Sequence, residues 1–260
     1  MAEKILYYIG AGASALALPL AKSVWDLESR SVPKIPKIAG LAYSLKELDI
    51  DKIFNAFNDP KYYQYKTKLK QNLNELSIKA DEFGDVDTYA KYLYLKSSDE
   101  LDKVKRTLSQ FFSLSQLFQG KLDRRYLPWL ISIMETGRFP DSVKILSWNY
   151  DFQIELAATN FGNMEDVSQS GSGYSYSPPF IKHYPTLDPN PDNRDELSII
   201  HLNGIAGFVK PREFQTSSIF QNSVRGNNLG IINHVINEEH SPLIHFAWKT
   251  VRIINLLWKR

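Results

Sequence analysis

Near the N-terminus, five consecutive apolar residues, Ile5-Leu6-Tyr7-Tyr8-Ile9, run directly into Gly10-Ala11-Gly12-Ala13-Ser14. A short apolar run with β-branched and aromatic members predicts a strand, and the lack of polar alternation predicts burial on both faces. The small residues that follow predict a tight turn. Beyond it, Leu16, Leu20 and Val24 are spaced as one face of a helix starting near Ser14. Pro19 falls within the first turn or so, where its missing N–H costs little. A strand turning this abruptly into a helix points to an α/β fold. Two readings of the turn remain open. Glycine lets a diphosphate approach the backbone, the helix start favours an anion, and Ala15 stands where a G-x-G-x-x-G fingerprint places its last small residue. Gly10, Ala11, Gly12, Ala13 and Ser14 are then the phosphate contacts of a dinucleotide. The other reading is a tight connection with no ligand.

The rest of the chain divides by periodicity. Residues 29–43 carry Pro33, Pro36 and Gly40 and are expected to form a loop. Residues 45–137 are almost all helical in pattern. Pro60 opens a segment with Tyr62, Tyr65, Leu69, Leu73 and Leu76 at helical spacing, Gly84 breaks it, and Asp85 is placed to cap the next helix. Asp99 starts another helix, running to Gly120, and a further one covers about 124–135. Val143-Lys144-Ile145-Leu146-Ser147-Trp148 predicts a second strand, with helical spacing resuming at Asp151. Residues 162–195, rich in Gly, Ser, Asn and Pro, predict a loop, and Leu197 to Leu202 a third strand closed by Gly204. Together these predict a parallel sheet with a large helical insertion at about 45–137. In such sheets ligands sit beyond the carboxyl ends of the strands, where this topology would gather three distant segments.

Two of those segments carry polar side chains at period two. In Ser147-Trp148-Asn149-Tyr150-Asp151, Asn149 and Asp151 share a face. Asn149 could hold a ribose hydroxyl or a water, and Asp151 could accept from a hydroxyl or simply cap the following helix. In His201-Leu202-Asn203-Gly204, His201 and Asn203 share a face, and His201 is either a general base or a structural histidine. His234, Glu238, Glu239 and His240 have a metal-like look, but a spacing of six does not align the histidines on a helix. They are expected to form a solvated loop or helix end.

Composition excludes several classes of function. With no cysteine the chain has no disulfide, Cys-ligated zinc, iron–sulfur cluster or thiol nucleophile. A net charge of +2 gives no ground for direct nucleic-acid binding or a membrane surface. No run approaches the roughly 18–20 apolar residues of a membrane span, and the glycine-interrupted N-terminus does not read as a signal peptide. A cytoplasmic location is expected by default.

The order GAGAS, N-Y-D after a strand, and a strand ending in L-x-G resembles the sirtuin superfamily, above all the sirtuin-like domains of bacterial antiphage defence. The likeness covers roughly residues 5–250. It implies one sirtuin-like domain over 1–260, a Rossmann-like parallel sheet with a helical insertion and no zinc module. It also implies NAD as substrate, with the nicotinamide–ribose bond hydrolysed to nicotinamide and ADP-ribose. The loop Gly10–Ser14 would cradle the phosphates, Asn149 position ribose and attacking water, and Asp151 hold the nicotinamide-ribose end.

Three departures qualify what carries over. The four-cysteine zinc module and the G-I-P-D-F-R segment of protein-deacylating sirtuins are absent, the latter replaced by Ala17-Leu18-Pro19-Leu20-Ala21, which argues against deacylation. The family's K-L-H-G aligns with His201-Leu202-Asn203-Gly204, so Asn203 holds the histidine position and lines the ligand site. His201, one pleat earlier, is the candidate catalytic histidine. After His245-Phe246-Ala247-Trp248 no counterpart of the family's G-Y-S-like loop is visible, so the C-terminus looks short. The expectation is an NAD glycohydrolase with no metal, acting as a gated defence effector with a homo-oligomer or a separate sensor protein as partner. The alternative is a weak or inactive module that binds NAD or ADP-ribose. A hydride-transfer enzyme fits less well, because no acidic residue follows a second strand about 20 residues after the loop.

Overall fold

The computed structural model describes residues 5–14, 17–18, 41–55, 57, 59–118, 122–133, 140, 142–158, 183–184, 199–209 and 228–246. The chain divides into two compact units, Met1–Gly10 with Leu122–Arg260, and Ala11–Lys121. Chain order runs β1 (Ile5–Ile9), a 3-10 turn (Ala11–Ser14), α1 (Leu41–Glu47), α2 (Ile50–Phe54) and α3 (Pro60–Phe83). Next come α4 (Val86–Leu95), α5 (Glu100–Leu117), α6 (Tyr126–Ile133) and β2 (Val143–Ser147). Helical backbone at 153–158 is termed α7. After it lie β3 (His183–Tyr184), β4 (Ile199–His201), β5 (Gly204–Val209), α8 (Asn228–Ile236) and β6 (Ser241–Ile244). No helix among the described residues is long and apolar enough to cross a membrane.

The first unit is mixed α/β, as expected. Its main sheet has the order β1-β2-β4-β3. Every pairing is parallel: Ile5 lies opposite Val143, Ile145 opposite Ile199, and His183 opposite Ile199. Strand β2, with neighbours on both sides, buries Val143, Ile145 and Ser147 and half-buries Lys144 and Leu146. Ile145 and Ile199 are fully buried.

Strand β1 departs from the expected burial on both faces. Among the described residues it is an edge of this sheet, and Ile5, Leu6 and Tyr8 are 44%, 60% and 62% exposed. A continuous apolar run does not by itself distinguish a central strand from an edge one. Tyr7 meets Trp129 of α6 edge-on with ring centres 5.3 Å apart, and Ile9 is buried. His183, in a segment expected to be loop, pairs in β3. The rest of 162–195 lies outside the described residues.

A second, antiparallel pair joins β5 and β6, with Gly204 opposite Ile244 and an irregularity before Phe208. Gly204 has φ +71°, and a Cβ there would collide with the Leu243 carbonyl and come within 2.8 Å of His245 N. Glycine is required at this position by both backbone conformation and close approach.

The second unit is helical in α1–α5, and the boundaries of α3 and the starts of α4 and α5 have chemical causes. Asp59 caps α3 through the Lys61 amide at 2.9 Å, with Pro60 in its first turn. That helix ends at Gly84, left-handed at φ +84°. Asp85, in extended backbone, accepts from the Thr88 amide at 2.6 Å and starts α4. Asp99 stands at the start of α5, as expected, and Ser98 Oγ accepts from the Glu100 amide at 3.2 Å. Helix α3 buries Tyr62, Leu69, Leu73 and Leu76 as its spacing predicts, while Tyr65 of the same set is half-buried. Of the predicted loop 29–43, residues from Leu41 onward already belong to α1, and residues 29–40 lie outside the described part.

Replacement of the cap in Asp85→Ala is expected to destabilise the helical unit by about 1 kcal/mol. Gly204→Ala should cost roughly 2 kcal/mol or more, because strain and collision act together. Denaturant unfolding of the two variants beside the parent measures both. Equal midpoints for Gly204→Ala and the parent would refute the steric account.

Candidate functional site

Parallel pairing of β1, β2 and β4 brings the ends of these strands to one rim of the first unit. Their register is continued by hydrogen bonds beyond the strands. The Trp148 amide donates to Ile9 O at 2.9 Å. Four consecutive carbonyls, from the last residue of β2 onward, each accept from the segment 201–206. Leu202 N donates to Ser147 O at 2.8 Å and Ala206 N to Tyr150 O at 2.6 Å. Between them, Asn203 Nδ2 donates to Trp148 O at 2.8 Å, and His201 Nδ1 lies 3.2 Å from Asn149 O. Asn149 N is held in turn by Ser147 Oγ at 3.1 Å. Asn149 and Asp151, His201 and Asn203 are therefore brought together, and all four are buried.

His201 is 1% exposed, and its other nitrogen, Nε2, lies 2.5 Å from Glu155 Oε1 on α7. Burial opposes a charged ring, but the Glu155 carboxylate outweighs it, with help from the Asn149 carbonyl and the Asp151 charge. The net effect holds the ring's pKa above the ordinary histidine value of 6.5. Both ring nitrogens are thus engaged inside the protein.

Asp151 Oδ1 accepts from the Gln153 amide at 3.1 Å and so caps α7, the plainer of its two expected roles. Gln153 Oε1 then accepts from Asp123 N at 2.7 Å, tying α7 to the segment before α6. Asp123 is fixed by Arg125, whose guanidinium holds the carboxyl below the usual carboxylate range. Asn203 must point its amide nitrogen at Trp148 O, because a carbonyl only accepts. Its Oδ1 and Trp148 Nε1 are both buried without a hydrogen-bond partner. The Asn203 carbonyl receives His245 N at 2.7 Å, so β6 also returns to this point.

Gly10 follows β1 directly. It is exposed, and an added Cβ would meet nothing within 4 Å. Packing does not require glycine there. Ala11–Ser14, in the other unit, form a 3-10 turn. Ser14 is buried and its carbonyl accepts from both Ala17 N (3.0 Å) and Leu18 N (2.9 Å). The expected helix through Leu20 and Val24 lies outside the described residues.

Sequence reasoning passed over Glu155. The available signal was a carboxylate within Phe152–Ala158, a stretch otherwise fit for complete burial, and every residue of that stretch is buried. It also placed His234 and His240 in solvent, whereas both are buried, with ring centres 4.4 Å apart. His234 Nε2 lies 3.2 Å from Phe208 O, and His240 Nδ1 lies 3.0 Å from His234 O. Carbonyl partners and the pairing of β5 with β6 hold these rings, and Glu238 and Glu239 alone are exposed as expected. Burial, and then the neighbouring His240, push His234 down to about 4.

No protein-family model, curated protein or solved structure matches the chain. The two buried histidines give its stability opposite pH dependences. His201, raised above 6.5, contributes stability that is complete below about pH 6.5 and is lost as pH rises through its folded pKa. His234, lowered to about 4, contributes stability complete above about pH 6.5 and lost as pH falls towards 4. Melting temperature should therefore peak near pH 6.5. His201→Gln should flatten the alkaline side and His234→Gln the acid side. A scan of thermal unfolding from about pH 4.5 to 9 checks each limb separately.

Proposed function

We propose that the chain is an NAD glycohydrolase. It would hold NAD at the carboxyl rim of a Rossmann-like sheet and hydrolyse the nicotinamide–ribose bond to nicotinamide and ADP-ribose, with release of a proton. The observation that supports this most is the meeting of β2 and β4 at their carboxyl ends. There Asn149, Asp151, His201 and Asn203, far apart in sequence, share one hydrogen-bonded rim next to the end of β1. Ligands of parallel α/β sheets sit at such rims.

The chemistry follows from the residue types. Departure of nicotinamide leaves an oxocarbenium-like ribose, which a fixed carboxylate stabilises without reorganising. Asp151, oriented by the Gln153 amide, is assigned that part. Asn149 is assigned the ribose hydroxyl or the attacking water, and Asn203 a contact with the ligand. Gly10 to Ser14 are assigned the phosphates through the likeness to sirtuins. In support, Gly10 keeps open space where any side chain would stand. We further propose a bacterial, cytoplasmic, antiviral defence role, gated by self-assembly or by a separate sensor protein.

One observation favours a second reading, a module that binds NAD or ADP-ribose without cleavage. Both nitrogens of His201 face protein oxygens, and the family's histidine position holds Asn203.

Incubation of the purified protein with NAD, across concentrations that populate its oligomers, should release nicotinamide and ADP-ribose. Asn149→Ala should lower turnover roughly 100-fold or more. Gly10→Ala should weaken NAD binding while leaving the melting temperature unchanged. NAD binding without turnover at any concentration favours the binding module. Absence of both rejects the NAD assignment.

A further inference from the structure

We propose that Glu155 is a positioning residue for Asn149, acting through His201, and that His201 serves as a fixed imidazolium rather than as a base. This rests on the NAD-cleavage assignment. The geometry carries it: His201 Nδ1 is 3.2 Å from Asn149 O, and Nε2 is 2.5 Å from Glu155 Oε1. A carbonyl oxygen only accepts, so Nδ1 carries a hydrogen. An ionised carboxylate also only accepts, so Nε2 carries one too. With both positions protonated the ring is charged, and neither nitrogen has a lone pair for a substrate proton or water.

The charged groups around the ring agree. Glu155 reaches it from α7, and Asp151 adds negative charge from the turn after β2. Ser147, opposite His201 in the register of β2 and β4, is neutral, and the Asn149 carbonyl presents its negative end. The leading charges acting on the ring are thus both carboxylates. Moving the proton to Glu155 would leave a neutral ring beside the Asp151 charge, a less favourable arrangement.

The pair governs the residue between them and the ligand. His201 grips the main chain of Asn149, and Glu155 fixes the orientation of the ring that does so. Once the carboxylate is replaced by an amide, the ring loses the charge that holds its second proton and sets its tilt, and the carbonyl it holds gains freedom. Displacements well below the length of a bond contact are enough to slow a positioned reaction. Glu155 touches no reacting atom in this scheme.

The test uses the full chain with ¹⁵N-labelled histidine, in the parent, Glu155→Gln, and the double variant Glu155→Gln/His201→Gln. Nitrogen NMR should find both His201 nitrogens protonated at pH 7 and above in the parent. Glu155→Gln should lower kcat for NAD cleavage roughly 10-fold or more with KM changed less than about threefold. It should also move the alkaline limb of the pH–rate profile to lower pH. In the double variant two amides can bond without charge, so the fold is kept and the profile becomes flat between about pH 6.5 and 9. If Glu155→Gln does not fold, that flat profile carries the test.

A neutral His201 ring in the active parent overturns the proposal alone, as does an unchanged kcat in folded Glu155→Gln. A rise in KM with kcat intact does the same. A doubly protonated ring in a parent that cleaves no NAD removes the NAD assignment, and the positioning role falls with it.

Discussion

The four carbonyls from Ser147 to Tyr150 are the point on which the first unit depends. Each accepts a hydrogen bond from the stretch 201–206, two from main-chain amides and two from side chains. Parallel pairing alone would have ended at Ser147 and His201. The extra bonds turn two strand ends into one continuous rim, each worth on the order of 1 kcal/mol net and more where the donor is charged. Gly204 belongs to the same arrangement. Its left-handed backbone turns the chain from β4 into β5 within two residues, so Ala206 can reach back to Tyr150 and β6 can reach Asn203.

Charge is handled in two opposite ways inside this unit. His201 is buried against a carboxylate that raises its pKa, whereas His234 and His240 are buried against carbonyls and each other, and burial lowers that of His234. The difference lies in the partners, since all three rings are buried. A charged buried pair is costly to break from one side, because the remaining member is left without compensation. The His234 ring, lowered to about 4 and set at a tilt against His240, carries no such penalty near neutral pH.

Local chemistry was legible in the sequence. The spacing of Tyr62, Leu69, Leu73 and Leu76, the break at Gly84 and the cap at Asp85 depend only on residues within a few positions of each other. Strands β1, β2 and β4 were legible as apolar runs, and their common rim followed from parallel order. The place of β1 at the edge was not, because an apolar run carries no record of how many neighbours a strand has. Glu155 was missed for a related reason: its partner lies on another strand, and a carboxylate in a short helix reads as a solvated face. His234 and His240 were misjudged because their burial is decided by β5, whose Phe208 carbonyl receives one of them. The assignment of ligand and reaction came from the likeness of three short motifs, which fix residue types at strand ends but no distances.

The edge position of β1 also bears on the order in which the sheet forms and opens. Its residues pair with partners as remote in sequence as Val143, with the helical unit between them. Helices such as α3 and α5 need only local contacts and form early, while a pairing of such long range waits for loop closure. With Leu6 and Tyr8 largely exposed, β1 is held more by its hydrogen-bond ladder than by apolar burial. A segment of that kind belongs to the least protected cooperative layer of a native protein. Transient detachment of β1 would carry Gly10 away from the rim while the 147–150 and 201–206 segments stayed joined. The rim would then divide at the bond from Trp148 N to Ile9 O, with the 147–150 and 201–206 segments on the side that stays joined.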